Sequence, residues 1–418
     1  MEVILSPDQK KASEAIIEFI KNPSTSNRGG SYVFTMGGFA GCGKTFTIAA
    51  TIKKLKRDGI SFPIAYCAFA GKAASVLKTK LDAHALLSDQ DYCGTIHGLI
   101  YTPYSKEDKV NGKSADRKED DLEAPRRPVL ERSKMDVGFT KKDTFELSQY
   151  KLIVIDEASM VNERIYQDLT EFNIPILAVG DHGQLPPVGG DFNLMENPMI
   201  RLEHIHRQAE GDPIINLSMM ARESGRIPIG KYGEFVEKIQ ARGDHAYADR
   251  ITRDTVILCG TNATRVWWND YLRGRWGFKS IDPEIGERVI CLKNNKNSEI
   301  YNGMMGTILS IQSEGKHWYW LRVQMDAGNV YLGRALKHQF GSVSNLYQFT
   351  ENGRQMMGRE IGDLFDWAYC ITTHKSQGSE WNDVVVMEER MGGDNDQWKR
   401  WLYTATTRSK KRLLIVGS

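Results

Sequence analysis

Short apolar runs separated by polar, glycine-bearing segments recur through the first seventy residues. Residues 32–36 are apolar with a β-branched core and read as a buried strand. Residues 46–55 place apolar side chains at helical spacing. Between them lies Gly37-Gly38-Phe39-Ala40-Gly41-Cys42-Gly43-Lys44-Thr45. Residues 63–68 form another strand-like run, and Ala70-Gly71-Lys72-Ala73-Ala74 after it opens a helix. Upstream, Ser6 followed by Pro7 marks a helix start, and Ala12, Ile16, Ile17 and Ile20 give that helix an apolar face.

The alternation then breaks. Residues 101–148 do not read as βαβ, and 105–128 are dense in both charge signs, which suits a solvated excursion. It resumes with apolar runs at 152–155, ending in Asp156-Glu157, and at 174–179, ending in Gly180-Asp181. A second α/β unit begins near 255–259 and continues with a helix after Asn262 that carries Trp267, Trp268 and Tyr271. Core packing is the stronger reading for at least one of those tryptophans. Short strands at 287–292, 306–311 and 318–323, separated by Asn/Gly turns, suggest a small antiparallel barrel. The α/β pattern returns at 367–372, 383–387 and 412–416. The chain thus reads as two α/β units, each with an insertion, and shows no repeat at solenoid periods.

Composition narrows little. In 418 residues, 41% are hydrophobic, which permits real cores, and a net charge of +2 leaves any nucleic-acid surface to be local. The six cysteines form no C-x-x-C pair, so neither a zinc site nor a disulfide framework is indicated. No signal-peptide pattern opens the chain and no apolar run has transmembrane length. A cytoplasmic protein without membrane contact is expected.

The chemistry starts at Gly38 to Thr45, which fits G-x-x-x-x-G-K-[ST] in its strand–loop–helix context. Gly38, Gly41 and Gly43 let backbone N–H groups converge on phosphate oxygens at a helix N-terminus. Lys44 would reach the β/γ-phosphates, and the Thr45 hydroxyl would ligate Mg²⁺. Asp156 can hold the same ion, and Glu157 can orient and deprotonate an attacking water. Two acids at a strand end can instead cap a helix, but beside a phosphate loop the catalytic reading is stronger. Gln184, beyond the next strand end, suits a γ-phosphate or water contact. Arg207 and Arg408 are candidates for the cation that phosphoryl transfer needs from a neighbouring unit.

The order of these motifs resembles superfamily 1 helicases of the 5′→3′ RecD-like and Dda-like branch, through nearly the whole chain. The phosphate loop resembles motif I, Ala68-Phe69-Ala70-Gly71-Lys72-Ala73-Ala74 motif Ia, Gly94-Thr95-Ile96-His97 motif Ib and Ile155-Asp156-Glu157-Ala158-Ser159-Met160 motif II. Gly180-Asp181 through Gln184-Leu185-Pro186-Pro187-Val188 is similar to motif III, and Arg207-Gln208 to motif IV. Thr373-His374-Lys375-Ser376-Gln377-Gly378-Ser379-Glu380 is similar to motif V, and Tyr403-Thr404-Ala405-Thr406-Thr407-Arg408 to motif VI. One departure is Phe69-Ala70, where proline–threonine is more usual.

The resemblance implies an α/β fold of two RecA-like P-loop domains in tandem, 1–98 plus 149–203 and 204–284 plus 365–418. It also implies an inserted β-hairpin wedge at 99–148 and an inserted SH3-like barrel at 285–364. It implies ATP and Mg²⁺ as cofactors, with Gln9 reading adenine and Phe46, Gln377, Gly378 and Glu380 completing the nucleotide contacts. Lys72, Thr95, His97, His374 and Lys375 become the DNA contacts, although a packing role is open for both histidines. Partners would be single-stranded and forked duplex DNA, with a single-strand-binding protein or replisome components, around a monomer. A phage-encoded accessory enzyme in the host cytoplasm fits the small size. The expected activity is ATP-dependent 5′→3′ DNA unwinding in replication, recombination or repair. The alternatives are a DNA-stimulated ATPase that remodels protein–DNA complexes without processive unwinding, and a nucleotide-gated DNA-binding protein.

Overall fold

Strands covered on both faces read as unbroken apolar runs, and four such runs build the centre of the first sheet. The structure, a computed structural model, describes residues 5–23, 32–105, 137–187, 192–203, 211–240, 246–278, 280–295, 297–351, 354–357, 360–390 and 392–417. The first sheet has six strands in the order Tyr92–Thr95, Ile64–Ala68, Leu152–Asp156, Ile176–Gly180, Val33–Gly38 and Ile200–Leu202, all parallel. One face packs on helices Pro7–Lys21 and Lys44–Arg57 through Ile16, Met36, Ile48, Ile52 and Val154. The other carries Ile100, Ile153, Ile165 and Leu169.

The second sheet also has six strands: Cys370–Thr372, Val256–Cys259, Trp381–Met387, Ser409–Gly417, Val236–Gln240 and Gly230–Lys231. All its pairings are parallel except the last. Parallel pairing aligns the carboxyl ends of the strands, where open α/β sheets place ligands. In the first sheet Ala68 stands opposite both Asp156 and Thr95, and Gly37 opposite both Gly180 and Arg201. The phosphate loop, the acid pair and the Asp181 turn therefore leave the sheet at one edge.

Two excursions interrupt the lobes. Tyr101–Ser105 pairs antiparallel with Val137–Lys141, so both ends of the first excursion form a ribbon. Its root is clamped to helix Glu163–Thr170, where the Tyr101 hydroxyl and Lys141 both donate to Asp168. The expected arms at 101–104 and 139–145 fall on this ribbon and on the short helix Thr144–Leu147, while 106–136 lie outside the described residues.

The second excursion is a five-stranded antiparallel sheet in the order Val330–Leu336, Trp318–Met325, Met305–Glu314, Arg288–Cys291 and Phe365–Trp367. Asp363 donates its N–H to Arg334 O and accepts from Leu336 N–H, so the segment ahead of the last strand returns to the first edge. The sheet is curled accordingly. Buried pairs of Arg265 with Asp366 and Arg273 with Glu287 tie helix Asn262–Arg275 to its base.

One expectation is corrected here. Residues 367–372 are not one strand of the second lobe. Phe365–Trp367 pairs with the inserted sheet and Cys370–Thr372 with Val256–Cys259, so the insertion runs past 364. The Asn269 side chain satisfies the break: its Oδ1 accepts from the N–H groups of Tyr369 (3.1 Å) and Cys370 (2.9 Å). Of the paired tryptophans, Trp268 is buried and Trp267 is exposed, stacked on Tyr271.

Candidate active site

A tight loop must run between strand Val33–Gly38 and helix Lys44–Arg57, and its glycines make it feasible. Gly41 (φ 83°) and Gly43 (φ 78°) occupy the left-handed region that side chains disfavour. A Cβ on Gly38 would meet Cys42 Sγ at 2.5 Å. Lys44 folds over the loop, its Nζ donating to Gly38 O (2.8 Å) and Phe39 O (3.0 Å). Burial alone would lower its pKa, but Asp181, Glu157 and Asp156 outweigh that and hold it above the ordinary lysine value. Thr45 and Phe46 follow in the first turn, Thr45 half-buried and Phe46 exposed. Gln9 is fully buried: its Nε2 donates to Cys42 O (3.1 Å) and its Oε1 accepts from Ser6 N–H (3.1 Å). It thus braces the phosphate loop from the first helix.

The acids stand at the neighbouring strand end. Asp156 Oδ1 accepts the Glu157 N–H at 3.0 Å. Glu157 has φ 54° and ψ 42°, a conformation that costs a non-glycine residue about 1–2 kcal/mol. Its Oε2 is enclosed without a partner among the described residues. Burial, then Asp156, raises the Glu157 pKa, while Lys44 and Arg408 pull it back; the net shift is upward. Strain, an unpartnered oxygen and a raised pKa at one carboxylate suit a proton-accepting role. Gln184 Oε1 is likewise enclosed and unpartnered.

Asp181 ties the walls of the cleft together. Fully buried, it accepts from Gly183 N–H (2.9 Å), Gln184 Nε2 (3.3 Å) and the Tyr403 hydroxyl (2.6 Å). The same hydroxyl accepts from Ala40 N–H of the phosphate loop at 2.9 Å. Tyr403 lies on Asn395–Thr406 of the second lobe, so one phenol joins three motifs. Around it, Thr404 Oγ1 accepts from Leu185 N–H (3.0 Å), Gln377 Nε2 donates to Leu185 O (3.0 Å), and Arg400 donates to His182 O (2.7 Å). Phe39 and Leu185 join a core cluster otherwise built by the second lobe and its insertion. The guanidinium of Arg222 stacks over the Phe39 ring at 3.5 Å.

Arg408 is buried in the opposite wall, donating to Thr404 O (3.0 Å), Ser379 O (3.2 Å) and Thr407 Oγ1 (3.0 Å). Arg207 lies outside the described residues. Gly378 (φ 71°) would bring a Cβ to 3.1 Å from Ala73 Cβ, joining motifs V and Ia. Glu380 is not gathered into the cleft; it is exposed and pairs with Lys410 at 3.4 Å.

Of the strand-contact candidates, Lys72 lies over the Trp381 ring at 4.8 Å, and burial lowers its pKa to about 8. Lys375 is lowered to about 8 by the same cause, and His374 is lowered by burial. Lys72 and Lys375 thus bring half-buried cations from both lobes. Thr95 caps helix Ile96–Ile100, its Oγ1 accepting from Gly98 N–H (3.0 Å). The His97 ring packs between Phe69 and Tyr101, with centroids at 6.1 and 5.4 Å. Gly71 is indispensable to a close approach: a Cβ there would lie 2.3 Å from Tyr301 of the inserted segment.

Sequence reasoning placed Asp181 and Tyr403 within motifs but gave neither a role, and it missed Arg400 and the Phe39–Arg222 stack as site elements. Tyr403 stands five residues before Arg408 in one motif, a proximity that could have flagged it. A larger cavity of about 680 Å³ opens at the amino ends of the first sheet, beside Phe145, Lys151 and Pro175, away from this chemistry. Among the described residues no helix is long and apolar enough to cross a membrane.

The chain is also similar to known proteins. The AAA domain family matches residues 26–190, and the UvrD-like helicase C-terminal domain matches 367–416. The chain is 27% identical over 309 residues to an ATP-dependent RecD2 DNA helicase of Deinococcus radiodurans, covering 67% of this chain and 38% of that protein. It is 30% identical over 317 residues to an uncharacterized protein of Acanthamoeba polyphaga mimivirus, covering 71% of this chain and 55% of that one. It therefore spans between about two-fifths and just over half the length of these relatives. Among solved structures, Bacteroides Pif1 helicase in complex with ADP-AlF3 and ssDNA superposes with a TM-score of 0.56 at 18% identity, covering 99% of this chain and 92% of that one. Pif1 helicase from Candida albicans gives 0.51 at 17%, covering 99% and 94%. At such identities the likeness is one of fold.

Proposed function

We propose that this chain, which belongs to superfamily 1 of the helicases, is an ATP-dependent DNA helicase that moves 5′→3′ on single-stranded DNA and unwinds forked duplex. One observation carries the reading: half-buried Glu157, with its Oε2 enclosed, lies within electrostatic reach of Lys44 from its own lobe and Arg408 from the other. Both walls thus act on one potential base. The relatives support it, since the RecD2 protein and a Campylobacter jejuni Pif1 are ATP-dependent DNA helicases by name. A Pif1 neighbour was solved at forked dsDNA.

In this reading the two parallel-sheet lobes are RecA-like domains and the curled insertion is the SH3-like barrel. The ribbon at 101–105 and 137–141 is the base of the strand-separating wedge. The triphosphate lies on Gly38, Gly41, Gly43 and Thr45, with Lys44 released from its loop carbonyls to meet phosphate oxygens. Gln9 and Phe46 flank the base, and Gln377 and Gly378 approach from the second lobe. Glu157 orients the attacking water and takes its proton, Gln184 contacts that water or the γ-phosphate, and Arg408, with Arg207, stabilises the transferring group. Asp156 and Thr45 offer the hard oxygen donors that magnesium prefers. Bound through Asp156 and Thr45, the ion would supply positive charge to neutralise the phosphates. Lys72, Lys375, His374, Thr95 and His97 line the strand path.

The test uses forked duplexes with a single tail. ATP-driven strand separation on the 5′-tailed fork alone is expected. Activity confined to the 3′-tailed fork overturns the polarity. Hydrolysis without separation on either fork reduces the protein to a translocase.

A further inference from the structure

The cleft between the lobes contains a second polar space that the proposed reaction does not use. It is a cavity of about 240 Å³ lined by His182, Gly183, Arg201, Arg222, Asp396, Lys399 and Arg400. At about 30 Å³ per liquid water, that volume holds a tetrahedral oxyanion with part of its hydration shell. Four cations line it against one carboxylate, and Asp396 is already paired with Arg400 at 2.7 Å. Two buried polar atoms in this lining, Arg222 Nη1 and His182 Nδ1, have no partner among the described residues. Burial drives the His182 pKa down to about 4, so that ring is neutral at pH 7 and the positive charge is that of Arg and Lys.

The cavity is separate from the phosphate loop. Leu202 points into the core face that holds Ile48 and Ile52 of the loop's own helix. Adjacent residues of a strand project to opposite faces, so Arg201 projects from the other side of the sheet. His182 lies on that side too, because a Cβ on Gly37, which stands opposite Arg201, would meet His182 Nδ1 at 3.0 Å. Phe39, stacked between His182 (centroids 4.1 Å) and Arg222, forms a partition between the two spaces. The lining comes from both walls: His182, Gly183 and Arg201 from one, Arg222, Asp396, Lys399 and Arg400 from the other.

We propose that this cavity binds a free phosphate dianion that bridges the two lobes. Charge-assisted bonds from arginine and lysine to phosphate oxygens are the strong class of hydrogen bond, and residues of both lobes would share the ligand. A phosphate seated there favours the approach of the walls, whichever reaction the cleft performs.

The experiment is a calorimetric titration with inorganic phosphate. The full chain carrying Lys44→Ala, which disables the loop, is compared with the same chain also carrying Lys399→Gln or Arg201→Gln. Arg201 is exposed and Lys399 half-buried, so both substitutions leave the cores intact. Binding should survive Lys44→Ala and weaken about tenfold with each added substitution, the weight of one charged hydrogen bond. Three results overturn the proposal: no phosphate binding, binding abolished by Lys44→Ala, or binding unaffected by both glutamines. A parallel titration with oligothymidylate separates the sources of the phosphate group. If the glutamine variants weaken the oligonucleotide and leave inorganic phosphate unchanged, the cavity serves the DNA backbone and the proposal fails.

Discussion

Replacing Tyr403 by phenylalanine removes one oxygen atom from the contact between the lobes and leaves the ring. The residue is fully buried, so packing is retained and no cavity opens. Two hydrogen bonds are lost, from the phenol to Asp181 (2.6 Å) and from Ala40 N–H to the phenol (2.9 Å). A bond to a charged group contributes about 1.5–3 kcal/mol and a neutral one about 0.5–1.5 kcal/mol. Ala40 is half-buried and its N–H can turn to water, which places the total near the lower end. A loss of about 2–3 kcal/mol corresponds to about 30- to 150-fold in the equilibrium that holds the lobes together. If ATP binds across both lobes, it must then supply that closure itself. Steady-state hydrolysis should show KM for ATP rising by that factor with kcat changed far less, because Lys44, Glu157 and Arg408 remain. Tyr403→Phe and Asp181→Asn should also couple in a double-mutant cycle on KM, since the carboxylate is one of the two lost partners. A KM within about threefold of wild type would refute the argument and reduce Tyr403 to a core aromatic.

Other expectations follow from the same geometry. Lys44→Ala should abolish hydrolysis while single-stranded DNA binding, followed by fluorescence anisotropy, persists. Glu157→Gln should lower kcat at least about hundredfold with nucleotide binding retained, the usual weight of a general base. Because burial raises the Glu157 pKa and the base must be ionised, wild-type turnover should fall on the acid side, with a midpoint above the ordinary carboxylate range. Lys72 and Lys375 have pKa values lowered to about 8, so each is cationic below that pH and neutral above it. DNA affinity and the steepness of its salt dependence should therefore decline from pH 7 to pH 9, and Lys72→Arg with Lys375→Arg should flatten the pH response.

The central strands were legible because parallel strands buried on both faces need little but apolar residues. Residues 33–36, 64–68, 152–155 and 176–179 carry that signature. Their polar successors Asp156, Glu157 and Asp181 were legible for the same reason, as sudden breaks at strand ends. Val236–Gln240 hid because it reads Val-Glu-Lys-Ile-Gln; its buried Lys238 makes a 2.6 Å pair with Glu388, far along the chain. The division of 367–372 between two sheets depends on Asn269, whose amide meets the backbone at the crossing from another helix. No local pattern announces such a partner. Tyr403 escaped for a related reason. Its phenol acts on Asp181, 222 residues away, and within its own helix it looks like one more buried aromatic.

The positive groups of the cleft share a feature that bears on how the lobes are coupled. Lys44 is satisfied by the loop carbonyls of Gly38 and Phe39, and Arg408 by Thr404 O, Ser379 O and the Thr407 hydroxyl. Each cation holds neutral acceptors within its own lobe. In the proposed reading a γ-phosphate would offer charged acceptors to both at once, and bonds to an anion are roughly twice as strong as those to a neutral carbonyl. The exchange frees the loop carbonyls on one wall and loosens the Arg408 anchor on Ser379, next to the Gln377–Leu185 bond that joins the walls. Loss of the phosphate reverses both. A ligand can shift an equilibrium only by its differential interaction with the two states, and here that difference lies in trading intralobe carbonyl bonds for interlobe phosphate bonds. Arg408→Lys tests the step. It keeps the charge but removes the fork that grips three acceptors, so ATP affinity should fall together with hydrolysis. Hydrolysis lost with ATP affinity unchanged would confine Arg408 to the transition state and remove it from the exchange.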